Sequence, residues 1–317
     1  MTKDKTRTVL IIGTGISGIT LAEKLAGPRF KVFLFDKSSG VGGRLATRRF
    51  EEGKWDHGIP WIEPDQIKPE QWALWKHLLV SVPDLSPKRF IASEGLTFLP
   101  KKLSEHQVIH KQTKIIEIKE GQKKSAWVIL DEKQNQFEGD LLVLALPAPQ
   151  AFELLSRSGL LMRLSWGSKL TEIEYRPHLV ALGKTTASST SLWELTPQPP
   201  FELILDNGRK GVHKSAGLFT AYLDESFSQE NFERPEQQVV SEISSLLNDR
   251  YQLQLEHLEL KRWRYSRTKK ALKDLFLEGL LSGPIFFIGD GCANGGFRGA
   301  LLSSCSLSEY LIDAPGF

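Results

Sequence analysis

Three glycines in the order G-x-G-x-x-G, Gly13, Gly15 and Gly18, sit in the stretch VLIIGTGISGITLAEKLAG near the N-terminus. Between a strand and a helix this spacing suits a pyrophosphate. The first glycine permits the tight turn, the second lets the backbone approach the phosphates, and the third lets the helix pack on the strand. The N–H groups that open the helix, those of Ile16, Ser17 and Gly18, and the helix dipole favour negative charge there. Asp36 follows 18 residues after Gly18. At a strand end its carboxylate accepts hydrogen bonds from ribose hydroxyls, which fits an unphosphorylated ribose better than a 2′-phosphate.

The segment after Asp36 distinguishes the dinucleotides. DKSSGVGGRLATRR adds Lys37, Gly42, Gly43 and Arg44. The glycines let the chain wrap close to a ligand, and the guanidinium can neutralise pyrophosphate charge. This arrangement resembles the extended fingerprint of flavoproteins of the amine oxidase and glutathione-reductase-related class. A second glycine turn, FFIGDGCANGGFRGALLSS, lies some 250 residues later and carries Gly289 and Asp290 before the last helix, whose start holds Arg298, Gly299 and Ala300. In flavoproteins of that class an Asp in such a turn holds the ribityl chain. The following helix N-terminus stabilises negative charge on the reduced ring. The two turns together predict FAD, bound noncovalently.

Other residues carry two readings each. KRWRYSRTKK, residues 261–270, concentrates six cations around Trp263 and Tyr265. It is either a surface that holds an anionic dinucleotide substrate or a solvated strand. His57 is an acid or base near the flavin, or a hydrogen-bonded structural residue. Trp61, after DHGIP, belongs near the pocket, together with Trp263 and Arg264. Arg298 is a cofactor contact or a surface charge. Cys292 beside Asp290 is a flavin tether or, since the surrounding motif is not of the tethering kind, a free thiol. His106 and His110 are four residues apart, but no third ligand follows at useful spacing and no metal site is expected.

Positioning these residues requires particular elements. TVLIIG is a continuous apolar run, as in a strand buried on both faces of a parallel sheet. The next helix places Ile19, Ala22, Leu25 and Ala26 on one face and ends at Gly27-Pro28, and KVFLFD is the second strand. Residues 60–100 are Trp-rich and punctuated by proline. KIIEIKEGQKKSAWVILDEKQNQFEGDLLVLALP reads as a β-meander entering another buried strand. Residues 161–265 alternate strand-like pieces such as HLVALGK and FELILD with one amphipathic helix near 235–249, and TTASSTS at 185–191 is a loop candidate. PIFFIGDG and FRGALLSSCSLSEYLI close the chain as strand, turn and helix. The expected fold is α/β: a discontinuous Rossmann-like FAD-binding domain at 1–60, 101–160 and 266–317, with an inserted α+β substrate domain at 61–100 and 161–265.

The bulk properties exclude several classes. The chain has 317 residues, 40% hydrophobic and 25% charged, with a net charge of +3 and two cysteines. That is the composition of a soluble globular protein without a disulfide framework. Neither the basic stripe of a nucleic-acid binder nor the roughly 20 apolar residues of a membrane helix is present. A cytoplasmic location is expected.

IIGTGISGITLAEKL, VFLFDKSSGVGGRLATRR, WDHG, LLVLALPAPQ, KRWRYSRT and FIGDGCANGGFRGALLSS, in that order, resemble the renalase-like FAD-dependent oxidoreductases of the flavin amine oxidase superfamily. The resemblance implies a p-hydroxybenzoate-hydroxylase-like fold. It also implies hydride transfer from a dihydro-isomer of NAD(P) to the flavin, with O2 as acceptor and no required base. It brings Asp56, in WDHG, to the cofactor. Where relatives read D-x-G-A-Q-Y-F, this chain reads DHGIPWIE at 56–63, so the pocket wall is expected to differ. Oxidation of a small amine, or flavin binding without turnover, are the alternatives.

Overall fold

A computed structural model of the chain describes residues 6–50, 53–122, 125–185, 192–214 and 216–314. The chain divides into two compact units: Met1–Gly43, Pro100–Glu174 and Thr268–Phe317 form the first, and Arg44–Leu99 and Tyr175–Arg267 the second. The N-terminal seam thus falls directly after the glycines at 42 and 43, whereas the sequence reading extends the first domain to residue 60. Of the loop candidate at 185–191, all but Thr185 lies outside the described residues.

The first unit is built on a six-stranded sheet whose order is Leu277–Leu280, Pro284–Phe287, Leu141–Leu144, Arg7–Ile12, Phe30–Phe35 and Val108–His110. All neighbours are parallel except the first pair. Val9, Ile11, Leu34, Leu141 and Val143 are wholly enclosed, which is why their strands read as unbroken apolar runs. The helices Ile16–Lys24 and Gly296–Asp313 pack against each other. They share one core in which Ile19, Leu21, Ala22, Leu307 and Leu311 meet Val9, Ile11 and Phe286. The predicted meander is present as Ile115–Glu120, Trp127–Asp131 and Gln136–Gly139. Its turn is closed by Asp131, which accepts from Lys133 N and Asn135 N. Among the described residues no helix is long and apolar enough to cross a membrane.

The second unit carries a five-stranded sheet in the order Trp193–Glu194, Phe201–Asp206, Leu218–Leu223, Glu174–Thr185 and Leu255–Lys270. Alternate residues face opposite ways. Leu179, Ala181, Ile204, Phe219 and Ala221 face the helical side and pack with Val239, Ile243 and Leu247. Those three lie at i, i+4 spacing on the helix Glu236–Tyr251. Val180, Leu182, Leu205, Leu218 and Tyr222 face the other side. There they pack with Trp55 from the hairpin Thr47–Phe50/Gly53–Asp56 and with half-buried Trp61, Trp193, Leu203 and Trp263. The sequence suggests one helix near 235–249; among the described residues the structure adds the single turn Asn207–Lys210 and the helix Glu225–Asn231. The latter is capped by the Asp224 carboxylate accepting from Phe227 N at 2.8 Å. The Asp-x-x-Phe cap is the local signal for it.

Candidate functional site

The glycine turn lies at the C-terminal edge of the parallel strands, beside the point where the strand order reverses. The chain leaves Arg7–Ile12 for Phe30–Phe35 on one side, and Leu141–Leu144 lies on the other. Ligands of open α/β sheets bind at such a switch point. The three glycines serve different purposes there. Gly13 has φ +112°, and a Cβ would lie 2.3 Å from Ala145 O. A Cβ on Gly18 would lie 2.2 Å from Gly13 O. Both are demanded by the protein's own packing. Gly15 is not: its φ is −66° and ψ 175°, and a Cβ would meet nothing within 4 Å. Its bare backbone faces open space at the start of the helix Ile16–Lys24, which has no side-chain cap. The first-turn N–H groups of Ile16, Ser17 and Gly18 have no intrahelical acceptor.

The second glycine pair closes one side of this cradle. Gly42 N donates to Thr14 O at 2.8 Å, Gly15 and Gly42 form an isolated parallel bridge, and the Gly43 Cβ position lies 3.4 Å from Gly15 Cα. Asp36 is pinned beside it. Its Oδ2 accepts from Thr14 N (2.8 Å) and Thr14 Oγ1 (2.6 Å), and its Oδ1 accepts from Ser38 N (2.8 Å). Each oxygen keeps acceptor capacity for a hydroxyl. Thr14, between the first two glycines, is thus a positioning residue that the spacing argument overlooks. Lys37 is exposed next to this carboxylate.

The C-terminal turn belongs to the same unit and the same sheet edge. Ile288 N donates to Leu144 O, extending the register of Pro284–Phe287, before Gly289 turns the chain at φ +136°. The Asp290 carboxylate is held by Thr268 Oγ1 at 2.5 Å, and the same hydroxyl reaches Asp290 O at 3.0 Å. Ala293 and Asn294 then take left-handed φ of 50° and 65°, costing on the order of 1 kcal/mol each. Their N–H groups reward this by donating to Asp274 O and Leu272 O. The helix Gly296–Asp313 that follows has no side-chain cap and no acid in its first turn. A Cβ on Gly299 would lie 2.6 Å from Cys292 O, Ala300 is buried and Arg298 is exposed. Cys292 and Cys305 are free and buried. Burial pushes the Cys292 thiol up to about 12, so it stays protonated.

Three of the expected site residues have partners within the protein. Arg44 falls in the second unit, where Nη1 donates to Tyr265 O (3.2 Å) and Ser266 O (3.1 Å), binding two strand carbonyls. Asp56 is not a ligand-facing carboxylate. It is wholly enclosed, ion-paired to Lys210 Nζ at 2.8 Å, and accepts from Thr47 Oγ1 (2.6 Å) and Leu96 N (2.9 Å). Arg264 leaves the pocket group. It alternates with Trp263 on the strand, pairs with Glu233 at 2.7 Å and lies over the Phe232 ring on the helical side. Four other cations of that strand are also engaged. Lys261 pairs with Glu259, Arg267 with Glu202 and Lys269 with Glu174, and Arg262 donates to the carbonyls of Asn231, Phe232 and Arg234. Five of the six cations in this cluster thus have partners within the protein.

His57, Trp61 and Trp263 share the aromatic side of the second unit. The His57 and Trp263 rings stack at 5.4 Å between centroids and 25° between planes, and Trp263 Nε1 donates to His57 O at 2.7 Å. The Arg89 guanidinium lies 4.5 Å from the centre of the Trp61 ring. Burial, then the Lys261 charge, lowers the His57 pKa to about 4 against the opposing pull of Asp56 and Glu259. Fully enclosed Lys210, paired to Asp56, has no sequence signal: in NGRKG it reads as a turn charge. His106 and His110 do not share a helix face, because His110 ends the strand Val108–His110 and stacks on Phe35 at 4.8 Å.

Comparison with known proteins agrees with this architecture. Residues 11–78 match the family model of the NAD(P)-binding Rossmann-like domain. The whole fold is similar to a crystal structure from Exiguobacterium sp. 255-15 described as "Putative protoporphyrinogen oxidase", with a TM-score of 0.70 over 97% of this chain and 99% of that one at 10% identity. At that identity the likeness establishes the fold alone. The chain is an α/β protein with a Rossmann-like nucleotide-binding unit and a mixed α/β second unit.

Proposed function

We propose that the chain is an FAD-dependent oxidoreductase that oxidises a dihydronicotinamide, as the renalase-like resemblance implies. The observation that supports the cofactor assignment is Gly15, whose missing side chain nothing in the protein requires, as suits a backbone that a ligand approaches closely. Around it the groups fit the ADP half of FAD. The first-turn N–H groups of Ile16, Ser17 and Gly18 would hold the pyrophosphate, Gly42 and Gly43 offer backbone without side chains, and the fixed Asp36 would accept from ribose hydroxyls. The second uncapped turn favours a flavin over a nicotinamide dinucleotide. Asp290, held by Thr268, would accept from a ribityl hydroxyl, and the uncapped N–H groups at the start of Gly296–Asp313 would favour negative charge on the flavin.

When bound, FAD supplies a two-electron acceptor that turns a dihydronicotinamide into the aromatic nicotinamide, with O2 as the terminal acceptor. The chain's own residues bind and orient; no side chain is asked to remove a proton. His57 lacks the basicity to do so near neutral pH, and Lys210 is committed to Asp56. The small-molecule substrate belongs to the aromatic side of the second unit, near Trp61 and Trp263. The test is anaerobic mixing of the FAD-loaded protein with dihydro-isomers of NAD(P) and, separately, with small amines. Loss of the visible flavin band with the former and not the latter is expected. Bleaching by amines alone, or by neither, would overturn this substrate assignment.

A further inference from the structure

Thr14 stands between Gly13 and Gly15, is wholly enclosed, and spends all three of its polar atoms inside the cradle. Its O accepts from Gly42 N at 2.8 Å, which ties the second glycine turn to the first. Its N (2.8 Å) and its Oγ1 (2.6 Å) both donate to Asp36 Oδ2. Enclosed and engaged in this way, Thr14 acts on a ligand only through Asp36 and Gly42.

Asp36 is the opposite case. It is half-buried, directly after the strand Phe30–Phe35. Its backbone is fixed on both sides, with N donating to His110 O at 3.0 Å and O accepting from Thr113 N at 2.8 Å. Rotation of the side chain is what remains to be restrained. Ser38 N donates to Oδ1 at 2.8 Å, a local bond two residues along the chain. The long-range restraint is Thr14, whose branched side chain is itself stiff. Held at Oδ2 by Thr14 and at Oδ1 by Ser38, the carboxylate plane is set before any ligand arrives. Oδ2 has taken two bonds and Oδ1 one, so Oδ1 is the freer acceptor for a further hydroxyl.

A carboxylate that must be ordered on binding gives up part of its hydrogen-bond energy to that ordering, whereas a preorganised one does not. We propose that the Thr14 hydroxyl is what makes this cradle distinguish a ribose from a 2′-deoxyribose. By fixing the Asp36 carboxylate it turns the bond to the ribose 2′-hydroxyl from a mobile contact into a selective one. Thr14 is a positioning residue and touches no ligand. The inference rests on the reading of the cradle as the site of a dinucleotide's ADP half, and it is indifferent to what the other half carries.

The test titrates the full chain, freed of cofactor, with ADP and with 2′-deoxy-ADP by calorimetry. The parent chain should prefer ADP about tenfold, the low end for a hydrogen bond to a charged group. Thr14→Val keeps the shape and both backbone bonds and removes the hydroxyl. The preference should then fall to about threefold or less, chiefly through weaker ADP binding. Thr14→Ser restores the hydroxyl and should recover most of the preference. Thr14→Ala also removes the hydroxyl and adds nothing to the enclosed site, so it reads the same ratio if valine disturbs folding. Equal losses for both ligands on removing the hydroxyl would mark a residue that serves packing alone, and overturn the proposal. A parent chain that binds ADP no better than its 2′-deoxy form, or binds neither, overturns it too; FAD titration by fluorescence then decides separately whether the cofactor reading survives. If the preference for ADP follows the hydroxyl while FAD fails to bind, the Thr14 assignment stands and the flavin reading falls.

Discussion

Replacing Gly15 by alanine separates a glycine kept for a ligand from glycines kept for the fold. At φ −66° and ψ 175° alanine is unstrained, and the added methyl meets no protein atom within 4 Å. Alanine is a poorer N-cap than glycine by up to about 1 kcal/mol, but it restricts the unfolded chain by about 0.4–1 kcal/mol. The two nearly cancel, so the melting temperature without cofactor should shift by no more than about 2–4 °C for a unit of this size. Gly13→Ala is different. It demands a left-handed backbone and a methyl 2.3 Å from Ala145 O, costing about 1–3 kcal/mol for each fault. Gly18→Ala drives a methyl to 2.2 Å from Gly13 O and should behave likewise. Toward FAD the order reverses in meaning. On the proposed reading the Gly15→Ala methyl would stand where the pyrophosphate approaches, and displacing even one charge-assisted hydrogen bond costs about 1.5–3 kcal/mol, roughly 10- to 100-fold in affinity. Thermal unfolding of the three cofactor-free variants, paired with titration of FAD by its fluorescence, reads both quantities. Gly15→Ala binding FAD as tightly as the parent chain, or melting as early as Gly13→Ala, would refute the reasoning.

Acid should weaken the second unit through half-buried His57 and buried His178. His57 and His178 are lowered to about 4, in both cases chiefly by burial, while the unfolded chain titrates at about 6.5. Between these values the unfolded state binds more protons, so stability is complete above about pH 6.5 and is lost as pH falls toward 4, by up to about 3 kcal/mol per histidine. Denaturant unfolding across pH 4–7 measures this, and His57→Gln should flatten the dependence; an unchanged slope would count against it. Asp56→Asn strands the enclosed Lys210 ammonium and should destabilise by about 3–5 kcal/mol, read as a fall in the denaturation midpoint. Buried Cys292, with its thiol at about 12, should resist alkylation in the folded protein and react only on unfolding, as mass spectrometry would show.

The nucleotide-binding unit was legible because its signals are local. The apolar run Val9–Ile12, three glycines and Asp36 all lie within one strand–helix–strand passage, and the structure builds that passage as read. What escaped depends on partners far along the chain. Asp56 meets Lys210 across 154 residues and Arg44 meets the carbonyls of Tyr265 and Ser266 across 221 and 222, and no spacing rule reports such pairs. The cations of residues 261–270 resembled an anion surface because their carboxylate partners Glu202 and Glu233 sit on other elements. The short helix Glu225–Asn231 was hidden by its length, since seven residues carry too little periodicity to stand out.

The central claim, that the cradle around Gly15 holds FAD, is tested most directly by unfolding the purified protein and identifying the molecule it releases. The account predicts intact FAD, one per chain, released without covalent attachment. NAD in its place, or no dinucleotide even after the protein has been supplied with FAD, would contradict it.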